Sequence, residues 1–250
     1  MAKSGAIVQR GSFGASMRRD AWWLELVPVI VVLGAFSVYA TWRTFENDYY
    51  EWGPYLSPFY SPLIKPKWWP LSPAVLILWA PLGFRATCYY YRKAYYRAFF
   101  LDPPACAVGE SRAHRYSGET AFPLILQHLH RYFLYAALIF LIILWYDAIY
   151  AFWFDGRFGI GVGSLVLVIN ITLLTLYTCS CHSLRHIVGG KVDCFSCVAF
   201  GGTRHTAWRG LSFLNERHML FAWLSLFSVG LADLYIRLVA SGTIRDLRLL

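Results

Sequence analysis

The sequence predicts an all-α integral membrane bundle of five transmembrane helices, with the N-terminus cytoplasmic and the C-terminus outside. Three observations predict it. First, 58% of the 250 residues are apolar, 18% are aromatic and only 15% are charged, whereas soluble domains carry about a quarter charged residues. Second, crossing the hydrocarbon core takes about 20 predominantly apolar residues in a helix, and five windows meet that length, at roughly 22–42, 71–91, 122–146, 160–181 and 219–240. Third, Lys and Arg are unevenly shared between the intervening segments. Segments 1–21, 92–121 and 181–218 hold 4, 5 and 5 of them, and segments 43–70, 147–159 and 238–250 hold 3, 1 and 2. Cytoplasmic loops carry the Lys/Arg excess, so the first set lies inside.

Taken in order, residues 1–21 form a cytoplasmic N-terminal segment. Arg18-Arg19 ahead of an apolar run has the look of a twin-arginine export signal. That run is too long for a signal core and ends without a convincing cleavage site, so Trp22 to Trp42 reads as the first span. The outer loop 43–70 is rich in aromatic residues and proline (Tyr49, Tyr50, Trp52, Tyr55, Tyr60, Trp68, Trp69), which places it as a belt at headgroup depth. The second span carries Cys88 near its inner end, and Tyr89–Arg97 is expected to continue it past the boundary as an interfacial helix. The third span opens on a polar shoulder of Gln127, His128, His130 and Arg131. His128 and His130 are two residues apart on nearly opposite faces, so only one can point into the bundle.

The fourth span ends in Cys179-Ser180-Cys181-His182-Ser183-Leu184-Arg185-His186. In an uninterrupted helix Cys179, His182 and His186 share a face. Asn170-Ile171-Thr172 has the pattern of a glycosylation sequon but lies mid-span. The fifth span follows His218, and Asp233 and Arg237 near its outer end have i,i+4 spacing for an intrahelical ion pair. Residues 22–240 thus make one membrane domain without repeats, and 241–250 an outer tail. Topology and a cytoplasmic docking surface account for the net charge of +9 without nucleic acid; a basic patch beside a bilayer suits anionic lipid or a soluble subunit.

With this topology all six cysteines and all seven histidines fall on the cytoplasmic side. Polar residues within a membrane are costly and usually functional. A lone histidine there is more often a packed, hydrogen-bonded residue than a ligand, but four spans each bring a Cys or His to similar depth, which favours a metal. Three centres could use them. One is haem b between His130 and either His182 or His218. Another is a four-cysteine site, Cys179-x-Cys181 with Cys194-x-x-Cys197, where thiolates suit zinc or iron–sulfur alike. The third is a [2Fe–2S] centre with two cysteines and two histidines, in which imidazoles in place of two thiolates raise the potential.

The runs Gly83-Phe84-Arg85-Ala86-Thr87-Cys88-Tyr89-Tyr90-Tyr91-Arg92-Lys93-Ala94-Tyr95-Tyr96-Arg97, Pro103-Pro104-Ala105-Cys106-Ala107, Ser180-Cys181-His182-Ser183, Arg217-His218-Met219 and Asp233-Leu234-Tyr235 are longer landmarks. Together they resemble the membrane-anchor subunit of the actinobacterial-type succinate dehydrogenase (respiratory complex II), from about residue 20 onward. The resemblance implies a multi-pass subunit of the cell inner membrane that serves the tricarboxylic acid cycle and the respiratory chain. It would anchor a flavoprotein subunit and an iron–sulfur subunit on the cytoplasmic face and pass electrons from succinate to a quinone, menaquinone or ubiquinone. It further implies the haem-less branch, in which a membrane-embedded Rieske-type [2Fe–2S] cluster stands where others hold haem b.

Carried over residue by residue, the ligands are Cys88, His130, Cys181 and His218, with His182, His186 and Cys179 as the nearest substitutes. Two departures stand out. The family stretch commonly reads Ser-Cys-His-Ser-Cys-Arg-His, whereas its second cysteine position is Leu184 here. The Cys-x-His half of the soluble Rieske pattern is absent from the chain, although Cys179 and His182 match the Cys-x-x-His half. For the quinone, a flat apolar slot with a few hydrogen-bond donors is needed. Arg85, Tyr89, Arg131, Trp208 and Ser212 could donate, and Trp22 and Trp23 could form a wall; as plain membrane residues they would be interfacial anchors and snorkelling arginines.

Overall fold

The structure, a computed structural model, describes residues 22–99, 124–190 and 192–250. The N-terminal segment 1–21, the larger part of the predicted docking loop 92–121 with Cys106 and His114, and the side chains of Trp22 and Trp23 lie outside the described residues. Helix α1 (Leu26–Glu46) follows a 3-10 turn at Trp22–Glu25 and ends at Asn47 in the left-handed conformation, which asparagine tolerates better than most residues. Helix α2 (Pro73–Ala86) starts with the Ser72 hydroxyl accepting the Ala74 N–H and with proline at N1, where its missing N–H has no intrahelical partner to lose. After α3 (Tyr89–Phe99) and a 3-10 segment come α4 (His130–Tyr150), α5 (Val162–Cys179), α6 (His182–Gly189), α7 (Gly201–Asn215) and α8 (His218–Ala240).

Helix α8 packs on α5, α5 on α4 and α4 on α2; α7 lies against α6, and α1 against α3. No residue of α1 is fully buried; Leu33, Phe36 and Tyr39 pack partly on the core, and the exposed apolar face, with Val31 and Val38, is left for lipid. Among the described residues four helical stretches are long and apolar enough to cross a membrane: Leu26–Glu46, Ile125–Tyr150, Val162–Cys179 and His218–Ala240. The predicted second span, 71–91, is not one helix. It divides at Thr87-Cys88 into α2 and α3, so Tyr89–Arg97 belongs to a separate helix. The fourth predicted helix divides likewise at Ser180-Cys181. Neither break carries the glycine or proline that would mark it in the sequence.

The loop predicted as a surface belt is half core. Trp68 and Tyr49 are exposed, but Tyr55, Phe59 and Tyr60 are 1%, 4% and 0% exposed. Strands β1 (Glu51–Trp52) and β2 (Tyr55–Leu56) form a hairpin that turns at Gly53, φ +51°, and Tyr60 stacks on Tyr50 at 4.1 Å. The loop thereby plugs one end of the bundle. A second hairpin, β3 (Trp153–Phe154) with β4 (Arg157–Phe158), lies near it. The C-terminal tail folds back over this end, with the Val162 N–H donating to Leu247 O at 3.0 Å. Tyr55 and Tyr235 both donate to Asp246, at 2.7 and 2.6 Å. Burial, reinforced by the Asp246 carboxylate, pushes the Tyr55 phenol up to about 12, so it stays a donor at physiological pH.

The close approach of this plug to α5 depends on Gly163. A Cβ there would lie 2.4 Å from the Tyr55 ring, and a fully buried tyrosine has nowhere to move. Gly163→Ala is expected to lower stability by about 1–3 kcal/mol through overpacking, read as a lower thermal midpoint of the detergent-solubilised protein. Gly202→Ala, which meets open space, should leave the midpoint near wild type.

Candidate metal centre

At the end of the bundle opposite the plug, the two helix breaks are built alike. In each, a hydroxyl residue caps the outgoing helix and the cysteine after it sits just before the incoming one: Thr87-Cys88 between α2 and α3, and Ser180-Cys181 between α5 and α6. The hydroxyls bond backward. Thr87 Oγ1 donates to Gly83 O at 2.6 Å and Ser180 Oγ to Tyr177 O at 2.9 Å. The sulfurs face forward, Cys181 Sγ accepting the Ser183 N–H at 3.3 Å and Cys88 facing the N–H groups of Tyr90 and Tyr91. Peptide N–H groups at a helix start favour negative charge, which suits a thiolate.

Two histidines close these breaks into a ring. His130, at the start of α4, places Nδ1 3.0 Å from Thr87 Oγ1 and Nε2 3.0 Å from Cys181 Sγ. His218, at the start of α8, places Nδ1 2.7 Å from Ser180 Oγ and Nε2 3.2 Å from Cys88 Sγ. Each imidazole therefore spans from the hydroxyl of one break to the cysteine of the other. Aromatic rings hold both in place: His130 stacks on Phe84 at 4.7 Å, His218 on Tyr177 at 5.2 Å, and Phe84 meets Tyr177 edge-on at 5.5 Å. Cys88, Cys181 and His130 are 2%, 1% and 8% exposed. His128 is exposed while His130 is buried, in keeping with their opposite faces.

Arg85, one turn before the first break, adds a positive charge beside the ring. Among the described residues its partners are neutral: Tyr91 Oη at 2.7 Å, Ser225 Oγ at 3.0 Å, Ala222 O at 3.4 Å and the face of Tyr177, 4.7 Å from the ring centroid. The Tyr91 hydroxyl in turn donates to Ala222 O at 2.6 Å. A cation so placed favours thiolate or a negatively charged centre in a low-dielectric setting.

The structure brings Cys88, His130, Cys181 and His218 together and leaves the substitutes apart. Because the helix stops at Cys179, the face expected to join Cys179, His182 and His186 does not form; His182 is exposed, and His186 accepts from Arg131 at 3.1 Å. The four-cysteine site is not assembled, since Cys194 and Cys197 are joined to each other as a disulfide and Cys181 faces His130. Each imidazole turns its outward nitrogen to a sulfur and not to another imidazole, as a two-histidine haem site would need. Among the described residues no three His, Cys, Asp or Glu side chains gather tightly enough to hold a single ion; the four ligand candidates stand as two Cys–His pairs.

Of the quinone candidates, Arg85 points into this core, Tyr89 is exposed at the first break and Arg131 is engaged with His186. Trp208 and Ser212 serve the α6–α7 pair: Arg185 lies 4.9 Å over Trp208 and donates to Ser212 Oγ at 2.8 Å. A cleft lined by Asn47, Tyr50, Lys65 and Trp69 lies at the plug end, remote from the ring. The residues that sequence reasoning missed are Thr87, Ser180, Phe84 and Tyr177. The hydroxyl-cysteine pair that both breaks share also occurs at Thr178-Cys179 and Ser196-Cys197, so it did not single out Thr87 and Ser180.

Residues 24–242 match the family model described as actinobacterial succinate dehydrogenase subunit SdhC. The fold is similar to that of a chain in the Mycobacterium smegmatis Sdh1 complex in the apo form, with 44% identity over 97% of each chain and a TM-score of 0.85. No curated protein matches the chain.

Proposed function

The chain belongs to the actinobacterial SdhC family of succinate dehydrogenase membrane subunits, and from that premise we propose that it carries electrons through an embedded Rieske-type [2Fe–2S] centre to a quinone. As a membrane-anchor subunit of that enzyme complex it partners the flavoprotein and iron–sulfur subunits in the inner membrane. The finer topology of the proposal is the five-span one. The broken α2–α3 element supplies the second crossing, the N-terminus is cytoplasmic and the C-terminus outside, so that the Cys–His ring faces the side where the soluble subunits dock. Residues 22–240 form the anchor domain and 241–250 its outer tail.

The observation that carries this reading is the ring itself: two buried cysteines and two histidines, from four separate elements, that converge in two pairs. Two thiols and two imidazoles are the donor set of a Rieske-type centre, in which both imidazoles go to one iron and both thiolates to the other, and among the described residues no three of these side chains gather tightly enough for a single ion. Cys88, Cys181, His130 and His218 would be the ligands; Arg85 offsets negative charge there, and Phe84, Tyr91 and Tyr177 exclude water. A [2Fe–2S] cluster held by these residues supplies a one-electron relay between the iron–sulfur subunit and the quinone. For the quinone carbonyls the proposed donors are Tyr89, Arg131 and Arg85, with Trp208, Ser212, Trp22 and Trp23 completing the set.

Low-temperature EPR of the purified complex, poised across a redox titration and paired with an optical scan for haem, tests this. The expected result is a low-average-g, relatively high-potential [2Fe–2S] signal that vanishes when His130 and His218 are both substituted. A haem band, or no signal beyond the soluble subunits' clusters, overturns it and leaves a cytochrome or a passive anchor.

A further inference from the structure

We infer that Thr87 and Ser180 are positioning residues that set the tautomers of His130 and His218, so that both imidazoles offer Nε2 as a bare lone pair to the centre. The inference rests on reading those histidines as ligands. It follows from counting protons. A hydroxyl has one hydrogen and two lone pairs, and a neutral imidazole has one N–H and one acceptor nitrogen. Thr87 gives its hydrogen to Gly83 O, and a carbonyl can only accept. The 3.0 Å contact between Thr87 Oγ1 and His130 Nδ1 therefore needs the hydrogen on Nδ1. The same holds at the other break: Ser180 spends its hydrogen on Tyr177 O, so His218 Nδ1 donates to Ser180 Oγ across 2.7 Å. In both rings Nε2 keeps its lone pair, and Nε2 is the nitrogen turned toward a cysteine sulfur.

The two positions are also coupled. The hydroxyl before Cys88 orients the histidine that faces Cys181, and the hydroxyl before Cys181 orients the histidine that faces Cys88. A metal-bound histidine almost always donates its other N–H to such a partner, and loss of the partner typically costs about 10–100-fold in metal affinity. Thr87 is 8% and Ser180 0% exposed, so bulk water does not readily replace either hydroxyl.

The test uses the purified succinate dehydrogenase complex carrying Thr87→Val, Thr87→Ser or Ser180→Ala. Two readouts are taken: the rate at which a chelator removes the embedded cluster's EPR signal, and the nitrogen couplings of its reduced form by pulsed EPR. Thr87→Val and Ser180→Ala are expected to speed signal loss about 10–100-fold and to alter one nitrogen coupling each, while Thr87→Ser stays near wild type. Wild-type rates and couplings in Thr87→Val and Ser180→Ala would overturn the assignment. So would loss of assembled complex, followed by succinate-to-dye activity, in Thr87→Val and Thr87→Ser alike, because that marks packing. If the wild-type complex lacks the signal, or keeps it after His130 and His218 are substituted, the ligand reading fails as well and is recognised separately.

Discussion

Replacing His130 and His218 together by glutamine should abolish quinone reduction by the complex while succinate oxidation by an artificial dye persists. The dye takes its electrons before they reach this subunit, so that activity reports only the soluble subunits and their docking. On the proposed reading the quinone route needs both imidazoles. Each supplies the nitrogen that faces a buried sulfur at 3.0 or 3.2 Å, and glutamine fills part of the volume without providing an aromatic lone-pair donor. Loss of an outer hydrogen-bond partner alone costs about 10–100-fold, and removing the ligands themselves exceeds that. The stacks on Phe84 and Tyr177 will be weakened in the variants, which makes the dye assay the necessary control. Equal loss of both activities would place the histidines in assembly and not in electron transfer.

The four side chains of the ring, Cys88, His130, Cys181 and His218, were all named from the sequence, whereas the geometry joining them was not. Helix length and apolar runs located the membrane-scale helices because hydrocarbon thickness imposes a length that sequence reports directly. Alternation of faces required that only one of His128 and His130 point inward, and it is His130 that does; i,i+4 spacing anticipated the Asp233–Arg237 pair. The breaks at Thr87-Cys88 and Ser180-Cys181 were hidden because threonine and serine end helices only when their hydroxyls find the right carbonyl, and nothing in composition announces it. Reading straight through the second break aligned Cys179 with His182 and His186. The break instead turns Cys181 inward and leaves His182 exposed. The plug was hidden for a different reason. Aromatic residues at headgroup depth and aromatic residues in a core have the same composition, and only tertiary contacts with Phe36 and Tyr39 on α1 and with Phe154 assign Phe59 and Tyr55 to the core.

Arg237→Met should deplete the assembled complex, and the loss should arise at the plug end and spare the Cys–His ring. Arg237 is 3% and Asp233 0% exposed, and the pair is more than the intrahelical bridge its spacing implies. Arg237 Nε donates to both Asp233 oxygens, Nη1 reaches Glu46 at 2.8 Å and Asp48 O at 2.5 Å, and Nη2 reaches Arg43 O at 3.1 Å. Asp233 also accepts from Tyr39, at 2.6 Å, and from Ser57. One guanidinium thus ties α8 to the end of α1, and one carboxylate ties α8 to the plug. Removing one member of a buried pair typically costs about 3–5 kcal/mol because the other charge is left unpaired. Asp233→Asn combined with Arg237→Met removes both charges and should recover part of that loss. The measurements are complex yield and thermal midpoint, with the double variant lying between the single variant and wild type; a single variant as stable as wild type would refute the account. Arg237 is 19 residues along α8 from His218, about 28 Å at the helical rise. Whatever complex does assemble with Arg237→Met should therefore show the same EPR signal from the proposed centre as wild type, because the tie that holds the bundle's far end does not touch the ring proposed to hold the metal.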